Sequence, residues 1–269
     1  GQPGAFTHLA ATLKFGQSVE YASVEDIATV FGEVEKGHAD YGVVPIENST
    51  DGSITDTIDA FLATNLRIIN ELHLKVRHHL MAACPRDQIK RVYSRHTVFR
   101  QCRGWLATNL PGRELVELVS TTRGAERVVS EPGSAAIGHS EAAKAFGLPI
   151  VASDIQDNPN NTTRFVVIGQ ASRAAQPTGN DKTSLMFGVQ DRPGALYDAL
   201  VPFHQAGINL CRIESRPSRR RPWEYLFFID LLGHQSDATL AAALDLLRSR
   251  ASTVEILGSF PLAEQALNE

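Results

Sequence analysis

Three short polar loops carry residue types that could bind a small anionic molecule. The first, residues 1–8 (Gly-Gln-Pro-Gly-Ala-Phe-Thr-His), leads into an alanine-rich segment. Glycines let a backbone come close to a ligand, and the N-terminus of a helix offers free N–H groups to an anion. Ala5, Phe6 and Thr7 are therefore candidate binding residues. The alternative is a plain turn in which Thr7 is the helix N-cap.

The second loop follows a predicted buried strand at residues 41–45 and contains Glu47, Asn48 and Ser49. Glu47 could orient a substrate hydroxyl or donate to it. Asn48 can both donate and accept, and Ser49 can bind a carboxylate. The alternative is the ordinary polarity of a surface loop.

The third loop, residues 158–165, places Thr163 and Arg164 at the start of another predicted strand. The guanidinium of Arg164 matches a carboxylate with two parallel hydrogen bonds, and Thr163 offers a hydroxyl beside it. The alternative is an asparagine-rich turn with a solvated arginine. Taken together, the three loops indicate a cleft for a small anionic molecule.

Composition and charge exclude several classes of protein. The 269 residues carry a formal net charge of -4, so a nucleic acid partner is not expected, because phosphate binding needs a basic surface. No apolar run approaches the roughly 18 residues that span a bilayer, and no charged-then-apolar leader opens the sequence, so neither membrane insertion nor export is expected. Cys84, Cys102 and Cys211 are odd in number and widely spaced, which is typical of a reducing cytoplasm.

Other reactive patterns are weak. No phosphate-binding glycine motif, catalytic-triad order or metal-ligand spacing stands out, so neither a nucleotide site nor a metal site is indicated. His78 and His79 are adjacent on a predicted strand and therefore point to opposite sides. Arg212, Arg216 and residues 219–221 form a basic group, which we interpret as a solvated hairpin loop because the overall charge is acidic.

Apolar periodicity places the three loops on an α/β framework. Helix and strand patterns alternate from Ser23 to Ile168, which predicts a mainly parallel sheet with helices on both faces. Ser23 and Ser53 are the predicted N-caps of two of these helices. Ligands of such sheets bind at loops beyond the carboxyl ends of the strands. Because the chain opens on turn residues, we also expect a short strand ahead of Gly1.

The chain divides into two predicted domains. Residues 170–181 show no periodicity and contain Pro177 and Gly179, so they are the predicted linker between a first domain at 1–169 and a second at 182–262. The second domain shows the order β-α-β-β-α-β, which is the ferredoxin-like unit.

The polar loops resemble the three signatures of the prephenate dehydratase family. The matching stretches are Gly1-x-Pro-Gly-Ala-Phe-Thr, Val44-Pro-Ile-Glu-Asn-Ser and Asn161-x-Thr163-Arg164-Phe165. The second domain is similar to an ACT regulatory domain. It carries Arg192-Pro-Gly-Ala-Leu196, Gly207-Ile-Asn-Leu210 and Glu214-Ser-Arg-Pro217.

This resemblance implies a catalytic domain of two α/β lobes around a cleft, similar to periplasmic binding proteins, followed by the ACT domain. It implies the decarboxylative dehydration of prephenate to phenylpyruvate in phenylalanine biosynthesis, without a cofactor and with feedback inhibition by L-phenylalanine. It further implies a cytoplasmic homodimer or homotetramer that associates through its ACT domains.

The resemblance also assigns roles to residues. Thr163 would address the leaving hydroxyl, and Arg164 and the helix start would bind the carboxylates. The expected catalytic residues are Thr163, Arg164, Glu47, Asn48 and Ser49. The expected substrate-binding residues are Ala5, Phe6, Thr7, Asn161 and Phe165. The expected phenylalanine-site residues are Gly194, Ala195, Leu196, Asn209, Leu210, Glu214 and Ser215.

Two other functions fit the same residues. An arogenate dehydratase performs the same elimination on the amino analogue of prephenate, and a non-catalytic amino acid sensor would bind a ligand without turnover. The sequence departs from the family pattern at Tyr197 and Cys211, where the family has valine and threonine, and both positions bear on the strength of inhibition. No helical chorismate mutase segment precedes the motifs in the sequence, so a bifunctional enzyme is not expected.

Overall fold

The structure of the protein is a computed structural model, which describes residues 4–218, 225–263 and 266–267. Its helices and strands follow the apolar periodicity of the sequence. The first motif's Gly1-Gln-Pro, the strand expected ahead of it and the arginines at 219–221 lie outside these residues. The elements of the N-terminal part are α1 (Phe6–Phe15), α2 (Ile27–Glu35), β1 (Tyr41–Asn48), β2 (Gly52–Ser53), α3 (Thr55–Phe61), β3 (Arg67–Lys75), β4 (His79–Ala82), β5 (Arg91–Ser94), α4 (His96–Gln101), α5 (Arg103–Asn109), β6 (Glu114–Glu117), α6 (Thr121–Ser130), β7 (Ser134–Gly138), α7 (Ser140–Ala145), β8 (Ile150–Ala152) and β9 (Thr162–Gly169). The elements of the C-terminal part are β10 (Asp181–Gly188), α8 (Ala195–Gln205), β11 (Leu210–Pro217), β12 (Tyr225–Leu232), α9 (Ala238–Arg250), β13 (Thr253–Pro261) and β14 (Ala266–Leu267).

Two sheets form the two lobes of the N-terminal part. In the described residues the first lobe has strand order β14-β3-β9-β1-β2 and the second lobe has the order β6-β5-β7-β4-β8. The expectation of a mainly parallel sheet is wrong. Strand β9 runs antiparallel to both β1 and β3, and β4 runs antiparallel to β7 and β8. The reason is the path of the chain, which leaves the first lobe after β3 and returns to it as β9.

The helix starts differ from the expected ones. Asp26 caps α2, because its carboxylate accepts the N–H of Thr29 at 2.7 Å, and Ser23 lies outside the helix. Ser53 does not cap α3, since it belongs to β2 and the N-cap position is Ile54. The hydroxyl of Ser53 is thus available for a contact other than the N-cap of α3.

The C-terminal part is a β-α-β-β-α-β domain, as expected, with strand order β11-β12-β10-β13. Helices α8 and α9 cover one face of its sheet, where Leu185, Phe203 and Leu244 are buried together. The opposite face packs against the first lobe. Among the described residues no helix combines the length and apolarity that a membrane crossing requires.

The sheet of the C-terminal domain lies directly on the sheet of the first lobe. Met186 and Phe228 of this domain share one buried cluster with Ile46 of the first lobe. At the crossing of β13 over β3, a Cβ atom on Gly258 would lie 2.0 Å from the carbonyl oxygen of Ile68. Only glycine permits this approach of the two backbones, so the domains form one continuous packed body.

Candidate active site

The second and third polar loops meet because β1 and β9 are neighbouring antiparallel strands. Asn48 lies opposite Thr163 in the register, so both side chains are on the same face of the sheet. The Asn48 Nδ2 atom donates to Thr163 Oγ1 at 2.8 Å and to Asn161 Oδ1 at 2.9 Å. All three side chains are at least nine-tenths buried.

Backbone contacts fix the direction of these hydrogen bonds. The Asn48 Oδ1 atom accepts the N–H groups of Thr50 at 2.9 Å and Asp51 at 3.0 Å. Because a backbone N–H can only donate, the amide of Asn48 must present its NH₂ group to Thr163. Thr163 Oγ1 therefore accepts from Asn48, and its own hydrogen remains available to donate to a third group.

The network continues into the second lobe through Gln101, at the end of α4. Its Oε1 accepts from Asn161 Nδ2 at 3.0 Å, and its Nε2 donates to Asp51 Oδ2 at 2.6 Å. His78 Nε2 lies 2.7 Å from the same Oε1, so this nitrogen carries the proton. The sequence analysis did not predict that Gln101 and Asp51 belong to this network. The only local signal for Gln101 is weak: it is a polar residue next to Cys102, which is buried.

The start of α1 borders the space between the lobes. The ring of Phe6 lies 4.8 Å from that of His139 and 5.8 Å from that of His78, both of the second lobe. The N-cap residue is Ala5, which has no side-chain hydrogen bond, so the alternative reading of Thr7 as the cap is wrong. Ala5 therefore leaves the first N–H groups of this ten-residue helix without a cap from its own side chain, and within residues 4–218 no other side chain is seen to accept from them; free N–H groups of this kind can bind an anion.

Glu47 and Arg164 lie on the other face of the same two strands. Successive side chains of a strand point to opposite faces, so Arg164 faces away from Thr163. Its Nε donates to Glu71 at 2.7 Å and its Nη1 to Asp230 of the C-terminal domain, while Glu47 lies 3.9 Å away. The structure thus differs from the expectation that Arg164 would bind a substrate carboxylate, because Glu71 and Asp230 already accept from its Nε and Nη1 atoms and the side chain faces away from Thr163.

A buried charge cluster surrounds Arg164. Lys182 of the C-terminal domain donates to Glu71 at 2.8 Å, and Ser184 donates to Asp230 at 2.5 Å. Burial alone would raise the pKa of Glu71, but Arg164 and Lys182 outweigh it and hold the pKa below its ordinary value. The pKa of Asp230 is lowered in the same way, against burial, by the neighbouring arginines. Both carboxyls are therefore ionised partners that join the domains.

Ser49 and Phe165 support the third loop instead of reaching the polar network. The Ser49 Oγ accepts the N–H of Thr162 at 2.9 Å and donates to the carbonyl of Asn160 at 3.2 Å. Phe165 is 1% exposed and packs with Leu72 beneath α1. These contacts hold the strand that carries Thr163.

Comparison with known proteins decides the family. A family model described as prephenate dehydratase matches residues 1–173, and one described as ACT domain matches residues 183–245. The chain belongs to the prephenate dehydratase family. The C-terminal β-α-β-β-α-β unit is its ACT domain.

Individual relatives cover nearly the whole chain. A bifunctional chorismate mutase/prephenate dehydratase from Aquifex aeolicus is 42% identical over 264 residues, which are 98% of this chain and 72% of that relative. The crystal structure of a prephenate dehydratase from Arthrobacter aurescens in complex with L-Phe matches with a TM-score of 0.91 and 34% identity, over 99% of this chain and 90% of that one. A structure described as a quorum-quenching acylase matches at 0.88 and 28% identity, over 98% and 97%. Since one fold carries more than one described activity, the chemistry has to be argued from the cleft.

The expected phenylalanine-site residues of the ACT domain lie at the two ends of α8 and along β11. Gly194, with a φ of +77°, precedes α8, in which Ala195 is buried and Leu196 packs against the core of the domain. Asn209 and Leu210 lie at the other end of α8, where β11 starts. Ser215 is exposed, whereas the carboxylate of Glu214 turns toward the first lobe.

The basic group of the sequence is not a solvated loop where the structure describes it. Arg212 Nη2 donates to Ser53 Oγ at 2.9 Å, and Arg216 Nη2 donates to Asp59 at 2.8 Å. Both arginines lie on the face of β11 that contacts the first lobe. The overall acidic charge was a poor guide here, because alternate residues of an edge strand can face a neighbouring domain.

Proposed function

We propose that this protein catalyses the decarboxylative dehydration of prephenate to phenylpyruvate and that L-phenylalanine inhibits it. Family membership supports the reaction. The observation that carries the proposal is the hydrogen bond from Asn48 Nδ2 to Thr163 Oγ1, because it leaves the threonine as a donor at the site. A donor is what the departing hydroxyl of prephenate requires.

The reaction requires little from the protein beyond binding the substrate and donating a hydrogen bond to its leaving group. Prephenate carries two carboxylates and a ring hydroxyl. When the bond between the ring and its carboxylate breaks, CO₂ leaves and the electron pair forms a ring double bond while the C–O bond breaks. The hydroxide leaves as water once it has gained a proton, and the ring becomes aromatic. The enzyme therefore gains most by orienting the dianion and donating a hydrogen bond to the departing oxygen.

Each residue of the polar network has a role in this proposal. Thr163 donates to the leaving hydroxyl, and Asn48 holds the threonine oxygen in place. Asn161 and Gln101 tie the loop of the first lobe to the second lobe. The uncapped start of α1, at Phe6, binds a carboxylate, which is the function that Arg164 does not serve here.

The same geometry disfavours acyl transfer. A threonine nucleophile needs a neighbouring base to accept its proton. The partner of Thr163 Oγ1 is the NH₂ group of Asn48, which is itself a donor and cannot take that proton. Hydrogen-bond donation is the role that this arrangement supports.

We also propose that L-phenylalanine binds between ACT domains of two protomers. Strand β11 is an edge strand, and Ile213 on it is 45% exposed. Within one chain the 11 residues of α8, a helix about 16 Å long, lie between Gly194 and Asn209. Antiparallel pairing of two β11 strands would bring the Asn209 end of one protomer beside the Gly194 end of its partner. A homodimer or a homotetramer of such dimers would complete the site.

The proposal includes a cytoplasmic location and the division into a catalytic domain at 1–169, a linker at 170–181 and an ACT domain at 182–262. Cys84, Cys102 and Cys211 are all free thiols, which suits a reducing compartment.

The deciding experiment is a turnover assay of the purified chain. Phenylpyruvate release is measured from prephenate with and without L-phenylalanine, and the same enzyme is given arogenate. We expect turnover of prephenate that L-phenylalanine reduces. A faster rate on arogenate would reassign the substrate. Saturable binding of prephenate without product formation would indicate a non-catalytic sensor instead of an enzyme.

A further inference from the structure

Strand β11 presents its alternate side chains to two different surroundings. Cys211, Ile213 and Ser215 are exposed. The residues between them turn toward the first lobe, where the side chain of Arg212 is only 8% exposed and that of Arg216 is 20% exposed. One strand therefore borders the proposed phenylalanine site and also contacts the catalytic domain.

The contacts of this strand converge on Ser53. The Ser53 Oγ donates to Glu214 Oε2 at 2.6 Å and accepts from Arg212 Nη2 at 2.9 Å. Arg212 Nε also lies 3.6 Å from Glu47 Oε2. Two ACT side chains thus hold one serine hydroxyl of the catalytic domain from both sides.

Ser53 belongs to the residue pair of the β1–β2 hairpin that is next to the pair containing Asn48. In the β1–β2 hairpin Glu47 lies opposite Ser53, and Asn48 lies opposite Gly52. A displacement of β11 therefore acts on the hairpin at the residue pair next to Asn48. Because Asn48 fixes Thr163 through a single hydrogen bond, the displacement would reach the donor itself.

We propose that Ser53 is a positioning residue through which the ACT domain sets the placement of Asn48 and Thr163. This inference rests on the proposed function and names the route of its regulation. A misplacement of about 1 Å at a reacting centre can cost about 10²-fold in rate, so a small shift of β11 is sufficient. L-phenylalanine controls the reaction if it favours one placement of β11 over another.

The test replaces Ser53→Ala, which removes both hydrogen bonds from a partly buried position without adding bulk. Prephenate turnover is measured over a range of substrate and L-phenylalanine concentrations, and L-phenylalanine binding is measured by calorimetry. We expect unchanged affinity for L-phenylalanine, while its effect on kcat/KM weakens by about fivefold or more. Ser53→Thr keeps the hydroxyl and should restore inhibition.

Thr64→Ala is the matched control, since it removes another hydroxyl that donates to a carboxylate, with both of its partners, Glu35 and the backbone N–H of Leu66, in the first lobe. It should remain inhibited like the parent. Glu214→Ala repeats the test from the ACT side in case Ser53→Ala folds poorly by circular dichroism. Because Glu214 is also an expected phenylalanine-site residue, L-phenylalanine binding to this variant is measured as well, and weakened inhibition supports the route only where that binding is retained.

Full inhibition of folded Ser53→Ala and Glu214→Ala would overturn the proposed route. Loss of L-phenylalanine binding in Ser53→Ala would overturn it too, because Ser53 would then act in binding. In both cases a parent that converts prephenate leaves the proposed function standing. A parent without turnover on prephenate or arogenate would remove the proposed function and this inference together.

Discussion

Replacing Asn48→Asp should reverse the hydrogen bond on which the proposed chemistry depends. The new side chain has nearly the same shape, and one oxygen can still accept from the backbone N–H groups of Thr50 and Asp51. The other oxygen replaces the NH₂ group, 2.8 Å from Thr163 Oγ1. At neutral pH this carboxylate accepts a hydrogen bond from the Thr163 hydroxyl. It therefore competes with the leaving hydroxyl of the substrate for that hydrogen bond.

The size of the effect follows from the loss of one positioned donor. Such a loss costs about 10²–10³-fold in kcat, or roughly 3–4 kcal/mol. The substituted carboxyl would also face the Oδ1 atom of Asn161, now 2.9 Å from an oxygen instead of a nitrogen, and this repulsion raises the carboxyl pKa. Once protonated, the carboxyl can donate again, so the activity of Asn48→Asp should recover partly as the pH falls, in contrast to the parent.

The assay is phenylpyruvate release from prephenate as a function of pH, with folding checked by circular dichroism. Asn65→Asp is the matched control, because it makes the same change at an exposed loop position. The reasoning fails if Asn48→Asp has the parent's kcat at neutral pH. It also fails if the lost activity shows no recovery in acid while the protein remains folded.

Three further predictions follow from single contacts. Thr163→Ala should lower kcat by about 10²-fold or more, while Thr163→Ser keeps partial activity, and normal turnover of a folded alanine variant would exclude this donor. The buried carboxyl of Glu71 has a lowered pKa, so its contribution to stability is present above the unfolded carboxyl pKa of about 4 and is lost as pH falls through the folded pKa. Glu71→Gln should therefore destabilise the protein by about 3–5 kcal/mol at pH 7 in urea unfolding and flatten the acid dependence, and an unchanged curve would refute the ion pairs. Gly258→Ala should lower the unfolding free energy by about 1–3 kcal/mol or more, because its Cβ meets the Ile68 carbonyl, whereas Gly32→Ala in open space should cost nothing.

The sequence predicted the elements more reliably than the directions of their side chains. Periodicity predicted the β-α-β-β-α-β domain, and the polar loops predicted a shared cleft, whereas the hydrogen bond between Asn48 and Thr163 was visible only in the structure. The sequence did not predict the face of Arg164. Two adjacent motif residues share a strand, and strand alternation places their side chains on opposite faces. The face that Arg164 occupies is the one that meets Asp230, 66 residues further along the chain, which a local pattern does not reveal.

The remaining surprises have the same origin. Ser53 had the features of a helix cap, yet its partners Arg212 and Glu214 lie far along the sequence. Gln101 enters the cleft network only because the second lobe faces the first. Contacts between distant segments depend on how complete sheets dock, and a single sequence contains little local signal for them.

The last described strand gives the ACT domain a second anchor. Strand β14 pairs in parallel with β3, so the chain returns to the sheet of the first lobe after the ACT domain has ended. The ACT domain is thereby inserted in the chain between two strands of one sheet: β9 precedes it and β14 follows it. Because the ACT domain lies against one sheet at both of its ends, we expect its influence on the cleft to travel as a slight slide or tilt of stacked sheets, and not as a swing of the whole domain.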